Sequence, residues 1–225
     1  TALHIGQRCM AQSASWSVAL SIPNVQSMDI DCADSLDCVV LVNGGLSQHI
    51  FRSSDGGVTW GVMYADSGDS QSNRLPLSLF KIQHPSRGSC VVAADSGLLL
   101  VWNATSNTWS RKEVAESHNW GYKLSMYDSS SGIIQFTGFG VPMYRTEDGG
   151  NTWQPMRIDR PPGWDSLPAL CGDLVCASRE SYFATIRGPD NVAIARTLNG
   201  GSEWQIKYPA LDDRDTFVVG GTSIS

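Results

Sequence analysis

An eight-residue pattern ending in tryptophan recurs along this chain and limits what it can fold into. Ser53-Ser54-Asp55-Gly56-Gly57-Val58-Thr59-Trp60 returns as Thr146-Glu147-Asp148-Gly149-Gly150-Asn151-Thr152-Trp153. A weaker copy is Thr197-Leu198-Asn199-Gly200-Gly201-Ser202-Glu203-Trp204, an eroded one ends in Asn107-Thr108-Trp109, and Ser15-Trp16 reads as the tail of another. The tryptophans at 16, 60, 109, 153 and 204 are separated by 44, 49, 44 and 51 residues. A period in that range is the length of one four-stranded antiparallel sheet in a repeat architecture.

The local chemistry agrees with that period. Asp or Asn followed by Gly-Gly makes a tight hairpin turn, because glycine accepts positive φ and an Asx side chain bonds its own backbone two residues on. β-rich stretches precede each pattern: Ile50-Phe51-Arg52, Met143-Tyr144-Arg145 and Ala193-Ile194-Ala195-Arg196. Before those come Val39 to Val42, Val91 to Ala94 and Ile133 to Phe136. No window of eleven residues carries a helical period, and Ser110 to Glu116 has room for one helical turn at most. The expectation is an all-β chain.

These residues resemble the Asp-box, or BNR repeat, of sialidase-like β-propellers. Ser53, Asp55, Gly57, Thr59 and Trp60 match the pattern fully, as do Thr146, Asp148, Gly150, Thr152 and Trp153; Asn199, Gly201 and Trp204 match in part. The resemblance implies a propeller of four-stranded blades, with each box turning from the third strand to the fourth on the face away from an active site. It therefore implies that Asp55 and Asp148 are structural. A single domain over 1–225 is expected, with blades near 27–65, 77–114, 122–158 and 166–208. A fifth blade is expected from 211–225 together with 1–20, closing the ring and removing its edge strands. Within the fourth unit both Leu174-Val175-Cys176 and Tyr182 to Ile186 read as strands.

Composition removes several function classes. Charged residues are 17% of the chain, Lys and Arg number 16, and the net charge is -6. No basic block exists to hold a nucleic acid. The longest apolar runs, such as Cys38 to Val42 and Leu98 to Trp102, are far too short for a membrane-spanning helix. Of the six cysteines, Cys32 with Cys38 and Cys171 with Cys176 have spacings that suit short bridges, which implies an oxidising space; buried free thiols are the alternative. Cys9 and Cys90 have no evident mates, and no metal-ligand spacing occurs. Asn103-Ala104-Thr105 is a glycosylation sequon. No cofactor motif is present.

The resemblance to sialidases would also imply an arginine triad, a Tyr–Glu nucleophile pair, an Asp acid and an Arg-Ile-Pro motif. No Arg-Ile-Pro occurs, and Arg52 and Arg145 lead into the boxes. Asp66, Asp165 and Asp213 are carboxylates in loops, but no spacing singles one out as half of a glycosidase pair. The loops between blades instead carry interface-type side chains: Arg74, Trp120, Arg160, Trp164 and Asp165. The expected function is a non-enzymatic protein-binding or assembly module in an extracytoplasmic or luminal space. In character it is similar to photosystem II assembly-factor propellers of the thylakoid lumen. The runner-up is a carbohydrate-binding or carbohydrate-cleaving propeller that stacks sugars on Trp120 and Trp164.

Overall fold

The computed structural model describes residues 20–23, 25–44, 47–68, 76–114, 122–136, 143–156, 170–187 and 192–207. Their strands form four antiparallel sheets, each of four strands in chain order. The first sheet holds β1 (Ser27–Cys32), β2 (Cys38–Asn43), β3 (Ser47–Ser53) and β4 (Gly61–Ser67). The second holds β5 (Leu79–Ser86), β6 (Ser89–Ala94), β7 (Leu98–Asn103) and β8 (Thr108–Glu113). The third holds β9 (Tyr122–Met126), β10 (Gly132–Phe136), β11 (Met143–Thr146) and β12 (Gln154–Met156). The fourth holds β13 (Leu170–Cys176), β14 (Tyr182–Arg187), β15 (Val192–Thr197) and β16 (Gln205–Lys207). Ser110 to Glu113 is thus strand rather than helical turn, held by pairing along all of β7. In the fourth sheet both of the apolar runs read from the sequence are strands, and they pair with each other. The expected fifth blade, 211–225 with 1–20, lies outside the described residues except for Leu20.

Burial follows from stacking sheet on sheet. β2, β6 and β10 are apolar on consecutive residues and almost wholly buried, and neighbouring sheets cover both faces of β6 and β10. The two-residue period then allots side chains to different junctions. On β6, Cys90, Val92 and Ala94 join Val39, Leu41 and Ile50 of the first sheet, whereas Val91 and Ala93 join Leu124, Ile134 and Phe136 of the third. Ile133 points the other way and packs with Leu174, Tyr182, Ala184 and Ala195 of the fourth.

First strands are also stitched to each other. Asp31 Oδ2 accepts the His84 backbone N–H at 2.6 Å, Gln83 Oε1 accepts that of Met126 at 3.0 Å, and Ser125 Oγ accepts that of Cys176 at 3.0 Å. Asp29 adds a bond from the Ile82 N–H at 2.8 Å and an ion pair with Lys81 at 3.0 Å. The acidic run Asp29 to Asp34 therefore serves the junction between the first two sheets.

Cys32 and Cys38 face each other in register across β1 and β2 and are joined by a disulfide. The second expected bridge does not form. Cys171 and Cys176 sit at opposite ends of the single strand β13, about 16 Å apart at ~3.3 Å per residue, whereas a disulfide needs Cα atoms within about 7 Å. Cys176 is a buried free thiol whose Sγ donates to the Ser178 carbonyl at 3.3 Å, and Cys90 is likewise free and buried.

Candidate functional site

Each third strand ends at the same end of its sheet as the first, and the turns clustered there form the best-defined surface. In the first box, Ser53 Oγ donates to Asp55 Oδ1 at 2.8 Å and accepts the Gly57 N–H at 2.8 Å. Asp55 accepts the Thr59 N–H at 2.9 Å and the Thr59 hydroxyl at 2.6 Å. Trp60 Nε1 donates to the Gly57 carbonyl at 3.1 Å. Thr146, Asp148, Gly150, Thr152 and Trp153 repeat every one of these bonds. The third copy keeps the Thr197–Asn199 and Gly201–Thr197 bonds and the one to the Glu203 N–H. With Glu203 in place of threonine, it lacks the hydroxyl contact.

These bonds set the charge of the box. The Thr59 hydroxyl, the Thr59 N–H and the Ser53 hydroxyl hold the Asp55 carboxyl down at about 2. For Asp148, burial works against ionisation, yet the bonds from Thr152 and Thr146 outweigh it and its pKa is lowered. Both oxygens of each carboxylate are thus hydrogen-bonded within their own turn.

The first box glycine of each copy also donates to the turn joining the first two strands of its sheet. Gly56 bonds Leu36 O at 2.9 Å, Gly149 bonds Ser130 O at 2.8 Å and Gly200 bonds Glu180 O at 2.9 Å. Ion pairs then tie these turns from sheet to sheet: Arg87 to Asp34 at 2.7 Å and Arg179 to Asp128 at 2.9 Å. Between the first two sheets, buried Asp37 takes a two-pronged contact from Arg52 at 2.8 and 2.6 Å. Burial alone would raise the Asp37 pKa; the bonds from Arg52 and His84 bring it below the usual carboxylate range. The other side of Arg52 lies over the Trp102 ring at 4.8 Å. Apolar tips stand out from this braced end: Leu36 (48% exposed), Val58 (80%), Tyr127 (49%) and Leu198 (56%).

Two recesses accompany it. One, of about 560 Å³, lies on the outer face of the first sheet between Leu20, Ile22, Met28, Ile30 and Trp60. The other, of about 660 Å³, opens at the box end between the second and third sheets, and its lining is mostly hydroxyl and amide. Nothing in the sequence pattern announces it except the erosion of the second box.

Of the residues expected to bind a partner, Arg74, Trp120, Arg160, Trp164 and Asp165 all lie outside the described residues. Asp66 is buried at the far end of β4 and accepts the Leu77 N–H at 3.2 Å, so its place is structural. Asn103 is exposed where β7 ends, and its Oδ1 accepts the Thr105 and Ser106 N–H groups at 2.9 and 3.1 Å.

No family model and no curated protein matches the chain. Solved structures do. A GH74 xyloglucanase from Xanthomonas campestris is 14% identical with a TM-score of 0.52, over 75% of this chain and 27% of that one. TolB from Acinetobacter baumannii is 12% identical with a TM-score of 0.54, over 84% of this chain and 44% of that one. YCF48 bound to D1 peptide is 12% identical over 83% of this chain and 84% of that one, with a TM-score of 0.44. The chain spans about a quarter of the xyloglucanase and less than half of TolB. At such identities the likeness speaks for architecture alone: four four-stranded antiparallel sheets arranged as in a β-propeller.

Proposed function

We propose that the chain is a propeller of the Asp-box kind that acts as a rigid, non-enzymatic protein-binding or assembly module. The observation that carries this reading is the braced box end with its exposed tips Leu36, Val58, Tyr127 and Leu198. Large apolar side chains held on turns that are hydrogen-bonded and ion-paired lose little freedom on docking, which favours association. Arg87 and Arg179 lie among them, and arginine with aromatic residues is enriched at interfaces. The Cys32–Cys38 disulfide supports an oxidising, extracytoplasmic or luminal setting. The test is affinity capture from the source compartment with the intact chain and with a Val58→Asp, Tyr127→Asp double variant of unchanged melting temperature. A partner retained by the first and lost by the second is the expected result; a partner held equally by both removes the reading.

A further inference from the structure

We propose that the groove between the second and third sheets is a binding site for a neutral saccharide. It is separate from the exposed tips, and the protein-binding reading can fail without affecting it. Three sheets fill their box end in one way, with a first turn spanning 33–37, 127–131 or 177–181 that accepts the bond from a box glycine. The second sheet does neither. Its first two strands meet in the tight Arg87-Gly88 turn, and residues 104–107 replace the Gly-Gly box, with Asn107 taking up a positive φ of 52°. The hollow left behind has fixed walls. On one side stands the fully bonded box of Asp148. Below it Gly150 is so close to the second sheet that an added Cβ would lie 3.3 Å from Val101 Cγ2 and 3.5 Å from Val91.

The lining chemistry selects the ligand. Ser86, Ser89, Thr105 and Ser129 offer hydroxyls, and Asn103 and Asn151 offer amides. Hydroxyls donate and accept; Asn103 Oδ1 is taken up by the Thr105 and Ser106 N–H groups and Asn151 Nδ2 by the Asp148 carbonyl, which leaves the Asn103 Nδ2 donor and the Asn151 Oδ1 acceptor to face adjacent sugar hydroxyls. Charge is sparse and balanced. The lining holds one carboxylate, Asp148, hydrogen-bonded by Thr146 and Thr152, and one cation, Lys112. A volume of about 660 Å³ falls within the ~300–1,000 Å³ of small-molecule sites. The sugar has two sources, a free oligosaccharide or a glycan on Asn103, which is exposed at the rim in its sequon.

The test is a ¹⁵N NMR titration of the full chain, made without glycosylation, with cellobiose, mannobiose, lactose and chitobiose. A second sample from a eukaryotic secretory host is compared before and after enzymatic deglycosylation. Saturable shifts of the Ser89, Asn103, Ser129 and Asn151 amides, lost in Ser129→Trp, support a free sugar. The same shifts present in the secreted sample and reversed by deglycosylation support the attached glycan. Thr105→Trp, on the opposite wall, replaces Ser129→Trp if that variant does not give a folded spectrum. Shifts from neither source, shifts that map elsewhere, or shifts that survive the tryptophan overturn the proposal, as does tighter binding of an acidic disaccharide.

Discussion

At the scale of single residues, the boxes show how a carboxylate serves a turn. Asp148 accepts three bonds that no other group in the turn replaces. Asp148→Ala should lower stability by about 1–2 kcal/mol in urea denaturation, and Asp148→Asn by less, because Asn199 already fills the same place in the third box. The acid response follows from the sign of the shift. A carboxyl held at about 2 when folded and ~4 when unfolded stabilises fully above the unfolded value and loses that support as pH falls toward 2. The urea midpoint should therefore drop between pH 4 and pH 2, and Asp55→Asn should flatten part of that drop. The closed turn at these aspartates was legible, because Ser/Thr, Asp and Thr stand at fixed offsets. The fate of Cys176 was not. Its spacing from Cys171 suits a loop, and only membership of one continuous strand separates the two. Burial pushes its thiol up to about 12, so alkylation of Cys176 and Cys90 in the native protein should be slow and should become fast in denaturant.

At the scale of strands and turns, the inner strands of each sheet were the easiest to read. The run Val91 to Ala94 is apolar on both faces because each face meets a different sheet, and Val39 and Leu41 of the run Val39 to Val42 face the second sheet. The stitches between first strands were hidden, since Gln83 and Met126 come together only once two sheets have stacked. Gln83→Leu keeps the bulk and leaves the Met126 N–H unpaired, at a cost of about 1–3 kcal/mol. Hydrogen exchange at Met126 should accelerate more than at Ile30 on β1; equal acceleration would mean that the stitch contributes nothing local. The disulfide closes only the short turn at 33–37, so reduction should cost about 2 kcal/mol by loop entropy. That turn carries Asp34 and Asp37, which pair with Arg87 and Arg52. A reductant-induced fall in melting temperature is the measurement, and it should shrink in Asp37→Asn.

At the scale of the whole molecule, sheets contact mainly their neighbours in order, so stability resembles a chain of junctions more than one shared core. The four sheets could be read from tryptophan spacing because three of them repeat one turn at one place and the second keeps its tryptophan, Trp109. The candidate groove could not, because it arises where the repeat fails, and an eroded motif looks like mere drift until its neighbours are seen intact. Function was sought at Arg74, Trp120, Arg160, Trp164 and Asp165, all outside the described residues, while the best-defined surface formed from short turns of modest composition.

The eroded second box also marks where this scaffold can be rewritten. Residues 104–107 bond chiefly to their immediate flanks, through Asn103 Oδ1, the Ser106–Thr108 hydroxyl pair and Trp102 Nε1 donating to Asn107. No glycine there reaches back to brace a second turn. A guest peptide of about ten residues spliced after Ser106 should cost no more than ~1–2 kcal/mol of loop closure, whereas the same graft between Gly56 and Gly57 should unfold the first sheet. The molecule would then carry one built-in display position beside a fixed array of turns, with circular dichroism melting of the two grafts as the comparison.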